Sequence, residues 1–146
     1  MKSARLFVPA MCAAFVLGVA VRGAFQPAAV QAAAANRVFE LRTYTAPPGK
    51  LEALKTRFRD HTIRIFKRHN MEAIGYWVPQ DPPLHDNTLI YVLMHASRED
   101  ATKNWAEFQA DPEWQRVRAE SQKDGPLTTK TPDSVFMDPA DFSPIK

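Results

Sequence analysis

From Val38 to Thr45 the chain alternates, with Phe39, Leu41 and Thr43 on one side and Val38, Glu40, Arg42 and Tyr44 on the other. A period of two predicts a strand with two unlike faces, one of them polar and aromatic. Pro47-Pro48-Gly49 ends it. Leu51, Leu54, Phe58 and Ile65 then recur at helical spacing and predict a helix from Pro48 to His69, with Pro in its first turn and Asn70 as a left-handed cap. His61 and His69 fall at the edges of that stripe, and Ile63 and Phe66 point away from it. Glu72 to Val78 reads as a second strand, followed by a Pro-rich loop over 79–87. Thr88 to Ala96 is a third strand, apolar on both faces: Leu89, Tyr91 and Leu93 (then His95) against Ile90, Val92 and Met94. Such a strand is buried on both sides. Ser97 to Asp100 resembles a capping box. Ala101, Trp105 and Phe108 continue as a helical stripe, which assigns Trp105 to packing. Asp111-Pro112-Glu113 starts a further short helix carrying Trp114, also a packing residue, and Val117, and Asp124-Gly125-Pro126 breaks it. Ser134 to Asp138 is the last strand.

The order β-α-β-β-α-β predicts an α+β, ferredoxin-like domain: a four-stranded antiparallel sheet with helices on one face. The other face would carry half of the apolar third strand plus Tyr and His. A bare patch of that kind needs cover, and a second copy presents the same patch by symmetry. The expected assembly is a homodimer whose sheets close face to face, a dimeric α/β barrel.

The first residues belong to a different regime. Lys2 and Arg5 precede an apolar run from Leu6 to Val21, and small residues surround Val30-Gln31-Ala32-Ala33. That is the layout of a secretory signal. Residues 1–34 are therefore expected to be a signal peptide and Ala-rich leader, and 37–144 the folded domain. The mature protein would be periplasmic or secreted and not inserted in a membrane, with an uncleaved anchor as the alternative. Cys12 is the one cysteine and leaves with the leader, so disulfides and thiolate chemistry leave with it. The chain has 19 basic and 16 acidic residues, but three basic and no acidic residues lie in 1–35, so the remainder balances at 16 against 16. Nucleic-acid binding loses its electrostatic motive.

Charge balance leaves the chemistry to a few side chains. His61 and His69 are eight residues apart, about 12 Å along a helix, too far to share a metal. No metal site is expected, since the four histidines and the absent cysteine pairs match no zinc spacing. No nucleophile elbow or phosphate loop is present. The basic residues of the first helix, Lys50, Lys55, Arg57, Arg59, Arg64, Lys67 and Arg68, read as a solvated face. What remains is a set suited to a small apolar molecule with one acidic or carbonyl group. Arg42, Tyr44, Tyr76, Trp77 and Tyr91 are the candidate ligand-binding residues, and His95 or His61 the candidate proton carrier.

Together these segments resemble the NIPSNAP family of the dimeric α/β-barrel superfamily. The carrying residues are V-F-E-L-R-T-Y-T at 38–45, P-G-K at 48–50, F-R-D-H-T at 58–62 and K-R-H-N-M at 67–71. They continue with I-G-Y-W at 74–77, Y-V-L at 91–93 with His95, W-A-E-F at 105–108, D-P-E-W at 111–114 and D-G-P-L at 124–127. Asn70 stands where the family pattern often has Gly, and the 79–87 loop is long and Pro-rich. The resemblance implies a ferredoxin-like dimer but no reaction, since superfamily relatives include cofactor-free monooxygenases, isomerases and haem-binding enzymes. Two readings follow. One is an exported dimer binding a small apolar or anionic molecule, extending to cofactor-independent proton transfer or oxygenation. The other is a non-enzymatic interaction module with a packed barrel, using Ile63, Phe66 and the 79–87 loop as its partner surface. No cofactor is expected on the first reading; haem on His95 or His61 is the alternative.

Overall fold

The computed structural model describes residues 37–146, so the expected leader and Cys12 lie outside the described residues. The four strands are β1 (Val38–Thr45), β2 (Glu72–Trp77), β3 (Thr88–His95) and β4 (Asp133–Met137). They form one antiparallel sheet in the order β2-β3-β1-β4. The helices are α1 (Leu51–Arg57), a π turn (Phe58–Thr62) that runs on into α2 (Ile63–Arg68), α3 (Arg98–Ala110) and α4 (Pro112–Ser121). This is the expected ferredoxin-like α+β fold. No helix among the described residues is long and apolar enough to cross a membrane.

Local chemistry accounts for most boundaries. Ser97 caps α3 by accepting from the Asp100 backbone N–H at 3.0 Å, and its hydroxyl donates to the Asp100 carboxylate at 2.8 Å. Asp111 caps α4 through the Glu113 and Trp114 amides. Asn70 holds φ +55°, the predicted left-handed cap. The first helix begins three residues later than its Pro suggests. Gly49 sits at φ +75° and the Lys50 N–H donates to the Pro47 carbonyl, so Pro47 to Lys50 is a turn and Leu51 starts the helix.

The π turn corrects the expected direction of Phe66. One extra residue in a helix sets everything after it back by about 100°, the angle per residue at 3.6 residues per turn. Phe66 therefore occupies the phase a plain α-helix would give residue 65, and it is fully buried among Phe58, Tyr91 and Phe108.

The two faces of β1 and β3 are also distributed otherwise than expected. Tyr44, Leu89, Tyr91 and Leu93 pack under the helices, in the core with Leu54, Phe58, Phe66, Phe108 and Trp114. His95 is sealed on that same side. The open face carries no Tyr or His from these strands but the apolar set Phe39, Leu41, Ile90 and Val92, joined by the exposed Ile74 and Val135. In this single chain the face is half covered. The segment after β4 returns along it, leaving an apolar groove of about 430 Å³ between Phe39, Val92 and Phe142.

Candidate functional site

β1 places Glu40, Arg42 and Tyr44 side by side on the helix face, two residues apart as the pleat dictates. Glu40 is 1% exposed and saturated. Its Oε1 accepts from Arg42 Nη1 at 3.0 Å and Ser134 Oγ at 2.6 Å. Its Oε2 accepts from Trp105 Nε1 at 2.6 Å and His95 Nε2 at 3.2 Å. A carboxylate offers about four lone-pair sites, and all are used. Burial alone would raise its pKa, but the bonds from His95, Ser134 and Trp105 and the charge of Arg42 prevail and bring it down to about 2. An ionised carboxylate only accepts, so His95 carries its hydrogen on Nε2. Its Nδ1 is buried without a partner.

Glu40 thereby fixes Arg42, whose guanidinium lies 4.6 Å from the Trp105 ring centre and 5.9 Å from that of Tyr44. Burial pulls the Arg42 pKa down, while the neighbouring Tyr44 and Tyr91 and the Glu40 carboxylate outweigh it and leave it raised. Beyond Arg42 the sheet and helices part around a cavity of about 390 Å³. Its walls include Arg42, Tyr44, Arg57, Trp114, Arg118 and Lys130. The far wall is the segment before β4, held to the end of β1 by the Thr129 amide donating to the Thr45 carbonyl at 2.8 Å.

Arg57 is the unusual member. It is 7% exposed, its Nε is buried without a hydrogen-bond partner, and no described carboxylate pairs with it. Its guanidinium lies 5.2 Å from the Trp114 ring centre. Burial lowers its pKa, Tyr44 opposes that, and Arg118 adds to it. A cation–π contact returns about 2 kcal/mol when desolvated, whereas burying an ion costs several kcal/mol. The Arg57 environment is thus incomplete in this chain by itself. The π turn begins immediately after Arg57, and Thr62 Oγ donates to the Arg57 carbonyl at 3.2 Å, so the helical irregularity adjoins the residue that carries the cation.

The structure brings together only part of the expected set. Arg42 and Tyr44 line the cavity. Tyr91 lies beneath, its hydroxyl donating to that of Tyr44 at 3.1 Å, and burial puts its pKa well above the ordinary phenol value. Tyr76 packs its ring against Phe58 and Tyr91, and its pKa is pushed up to about 12 by burial. Trp77 is half exposed and folds back over Gly75 at the sheet edge, facing a different cleft with Ile63. His95 is enclosed behind Glu40 and does not reach the cavity. His61 lies in the π turn, half buried, off the cavity. Arg57, Arg118 and Lys130 were not among the expected site residues. Arg57 corrects the reading of the first helix as basic on a solvated face alone. No three described His, Cys, Asp or Glu residues cluster as a metal site would require.

With this geometry in hand, comparison with known proteins is informative. The NIPSNAP family model matches residues 39–144. This chain belongs to the NIPSNAP family. A NIPSNAP family protein of unknown function from Agrobacterium tumefaciens shares 28% identity and a TM-score of 0.66, over 77% of this chain and 96% of its own. An uncharacterised NIPSNAP-like domain protein from Burkholderia xenovorans shares 24% identity at a TM-score of 0.66, over 75% of this chain and 90% of its own. A putative antibiotic biosynthesis monooxygenase from Nitrosomonas europaea, at 13% identity and a TM-score of 0.53, shares the fold over 75% of this chain and 95% of its own. No curated protein matches. For this NIPSNAP protein the relatives establish the architecture.

Proposed function

We propose that this protein is an exported, dimeric binding protein for a small organic anion, held in the cavity between sheet and helices. The observation that carries the reading is Arg57, a buried arginine in the wall of a cavity of ligand size, with no acidic partner among the described residues. Arg42, locked by Glu40, would take the other side of the anionic group, and the Trp114 and Tyr44 rings would wall its apolar part. The Tyr44 hydroxyl accepts from Tyr91 and keeps its own hydrogen to donate. That donor favours an extension of this reading to cofactor-independent proton transfer or oxygenation on a bound carbonyl or enolate. His95 then acts through Glu40 as a positioning residue for Arg42. The open cavity weighs against the packed interaction module. The apolar open sheet face supports the dimer, and the charged, apolar and small-residue order of 1–34 supports export.

The test is calorimetric titration of purified 37–146 protein with benzoate and related aromatic carboxylates. Binding that is lost in Arg57→Met and weakened at least tenfold in Arg42→Gln, both variants remaining folded by circular dichroism, supports the assignment. Binding unchanged in both variants removes it. Native mass spectrometry of protein from the exported fraction reports the dimer and any retained ligand; a monomer at micromolar concentration sinks the dimer.

A further inference from the structure

The cavity is lined by four cations, and they are not equally spoken for. Arg42 is paired with Glu40 at 3.0 Å. Lys130 is paired with Asp133, its Nζ donating to both carboxylate oxygens at 2.9 and 2.7 Å. Arg57 and Arg118 have no described carboxylate within ion-pair distance. Their mutual repulsion is visible in Arg118 helping to lower the Arg57 pKa. The site therefore holds two uncompensated positive charges, one sealed and one at the mouth, facing a single volume of about 390 Å³.

We infer that the ligand headgroup is a dianion, the chemistry shared by a phosphomonoester and a dicarboxylate, with Arg57 taking the inner charge and Arg118 the outer. This rests on the anion-binding reading above and narrows it. A monoanion neutralises Arg57 and leaves Arg118 without a counter-charge. A dianion satisfies both, and guanidinium forks match carboxylate and phosphate oxygens bidentately. Neutral donors complete the lining: the Thr128 and Thr131 hydroxyls and the Gln109 and Gln122 amides suit the oxygens that the two forks leave over. Long polyanions do not fit this account, because Arg57 is an inner wall residue of the cavity with 7% exposure.

Three probes built on one benzene ring separate the possibilities: benzoate, phthalate and phenyl phosphate, titrated calorimetrically into purified 37–146 protein at fixed ionic strength and pH 8. The expected result is that phthalate or phenyl phosphate, or both, bind at least tenfold more tightly than benzoate. Preference between those two identifies the dicarboxylate or the phosphate source. Arg118→Gln, on an exposed position of α4, should erase the preference by bringing phthalate and phenyl phosphate down to the affinity the same variant shows for benzoate. Equal affinities for all three probes overturn the dianion while leaving anion binding intact. Binding of none of them overturns both. A preference that survives Arg118→Gln also overturns the inference, since another group must then take the second charge.

Discussion

At Arg57 binding and stability should pull in opposite directions. A buried charge without a partner destabilises a fold, and replacing such groups by apolar ones of similar volume is often neutral or stabilising by about 1–4 kcal/mol. Arg57→Met is therefore expected to raise the melting temperature of ligand-free protein, or leave it unchanged, while abolishing anion binding. A fall of several kcal/mol in a denaturant titration would make Arg57 a structural residue. Glu40 behaves in the opposite way. Its pKa lies at about 2 in the fold against 4.5 ordinarily, so its contribution is complete above pH 4.5 and lost as the pH falls toward 2. At roughly 1.4 kcal/mol per pH unit, that is on the order of 3 kcal/mol. Glu40→Gln should flatten this acid limb of the stability profile and cost about 3–5 kcal/mol at pH 7, because an amide cannot accept from all four donors. The residue scale was partly legible in sequence. Arg42 and Tyr44 stood out because a polar-aromatic triplet on one strand face is conspicuous. Arg57 did not, because a lone Arg on a basic helix looks solvated, and only the π turn and the packing of α4 enclose it.

Among the elements, the joint between α3 and α4 holds the most charge. Asp111 caps α4 and also accepts from Arg68 Nη2 at 2.6 Å and pairs with His69 Nε2 at 2.7 Å. Glu113 pairs with Arg64 and, at 3.0 Å, with Arg68. These ties fasten α2 to the start of α4, and Trp114 on that first turn forms a cavity wall beside Arg57. Asp111→Ala should therefore cost about 2 kcal/mol, more than the ~1 kcal/mol of a cap alone, and should also weaken anion binding. A thermal melt and a titration on the same variant check both. Thr62→Val, which removes the bond to the Arg57 carbonyl, should cost about 1 kcal/mol by denaturant titration. Element order and type were readable because periods of two and 3.6 alternate cleanly along the chain. The π turn was not, since one inserted residue leaves no mark on composition and shows only as Phe66 falling out of step.

For the whole molecule, sheet order follows from the β-α-β-β-α-β order, but the sidedness of the faces does not. Both sides of β3 are apolar, and β1 sets a polar-aromatic side against an apolar one, so alternation alone could not say which lay beneath the helices. The structure puts the aromatic-polar side inside and leaves Ile74 (41% exposed) and Val135 (53% exposed) on the open face with Leu41 and Val92. If that face closes against a second copy, Ile74→Lys with Val135→Lys should convert dimer to monomer at micromolar concentration without loss of secondary structure. Analytical ultracentrifugation with circular dichroism decides it, and a dimer that persists places the contact elsewhere.

The two guanidiniums beside the cavity each lie near an indole ring, Arg42 by Trp105 at 4.6 Å and Arg57 by Trp114 at 5.2 Å. Indole emission responds to the electric field across the ring, and a charge a few ångströms away dominates that field. An anion that neutralises either cation changes the field on its neighbour. If an anion occupies the cavity as proposed, Trp105 and Trp114 gauge it optically, with Trp77 at the far sheet edge as an internal reference. Substituting Trp114 by Phe should silence most of the ligand-dependent colour change, while substituting Trp77 should leave it intact.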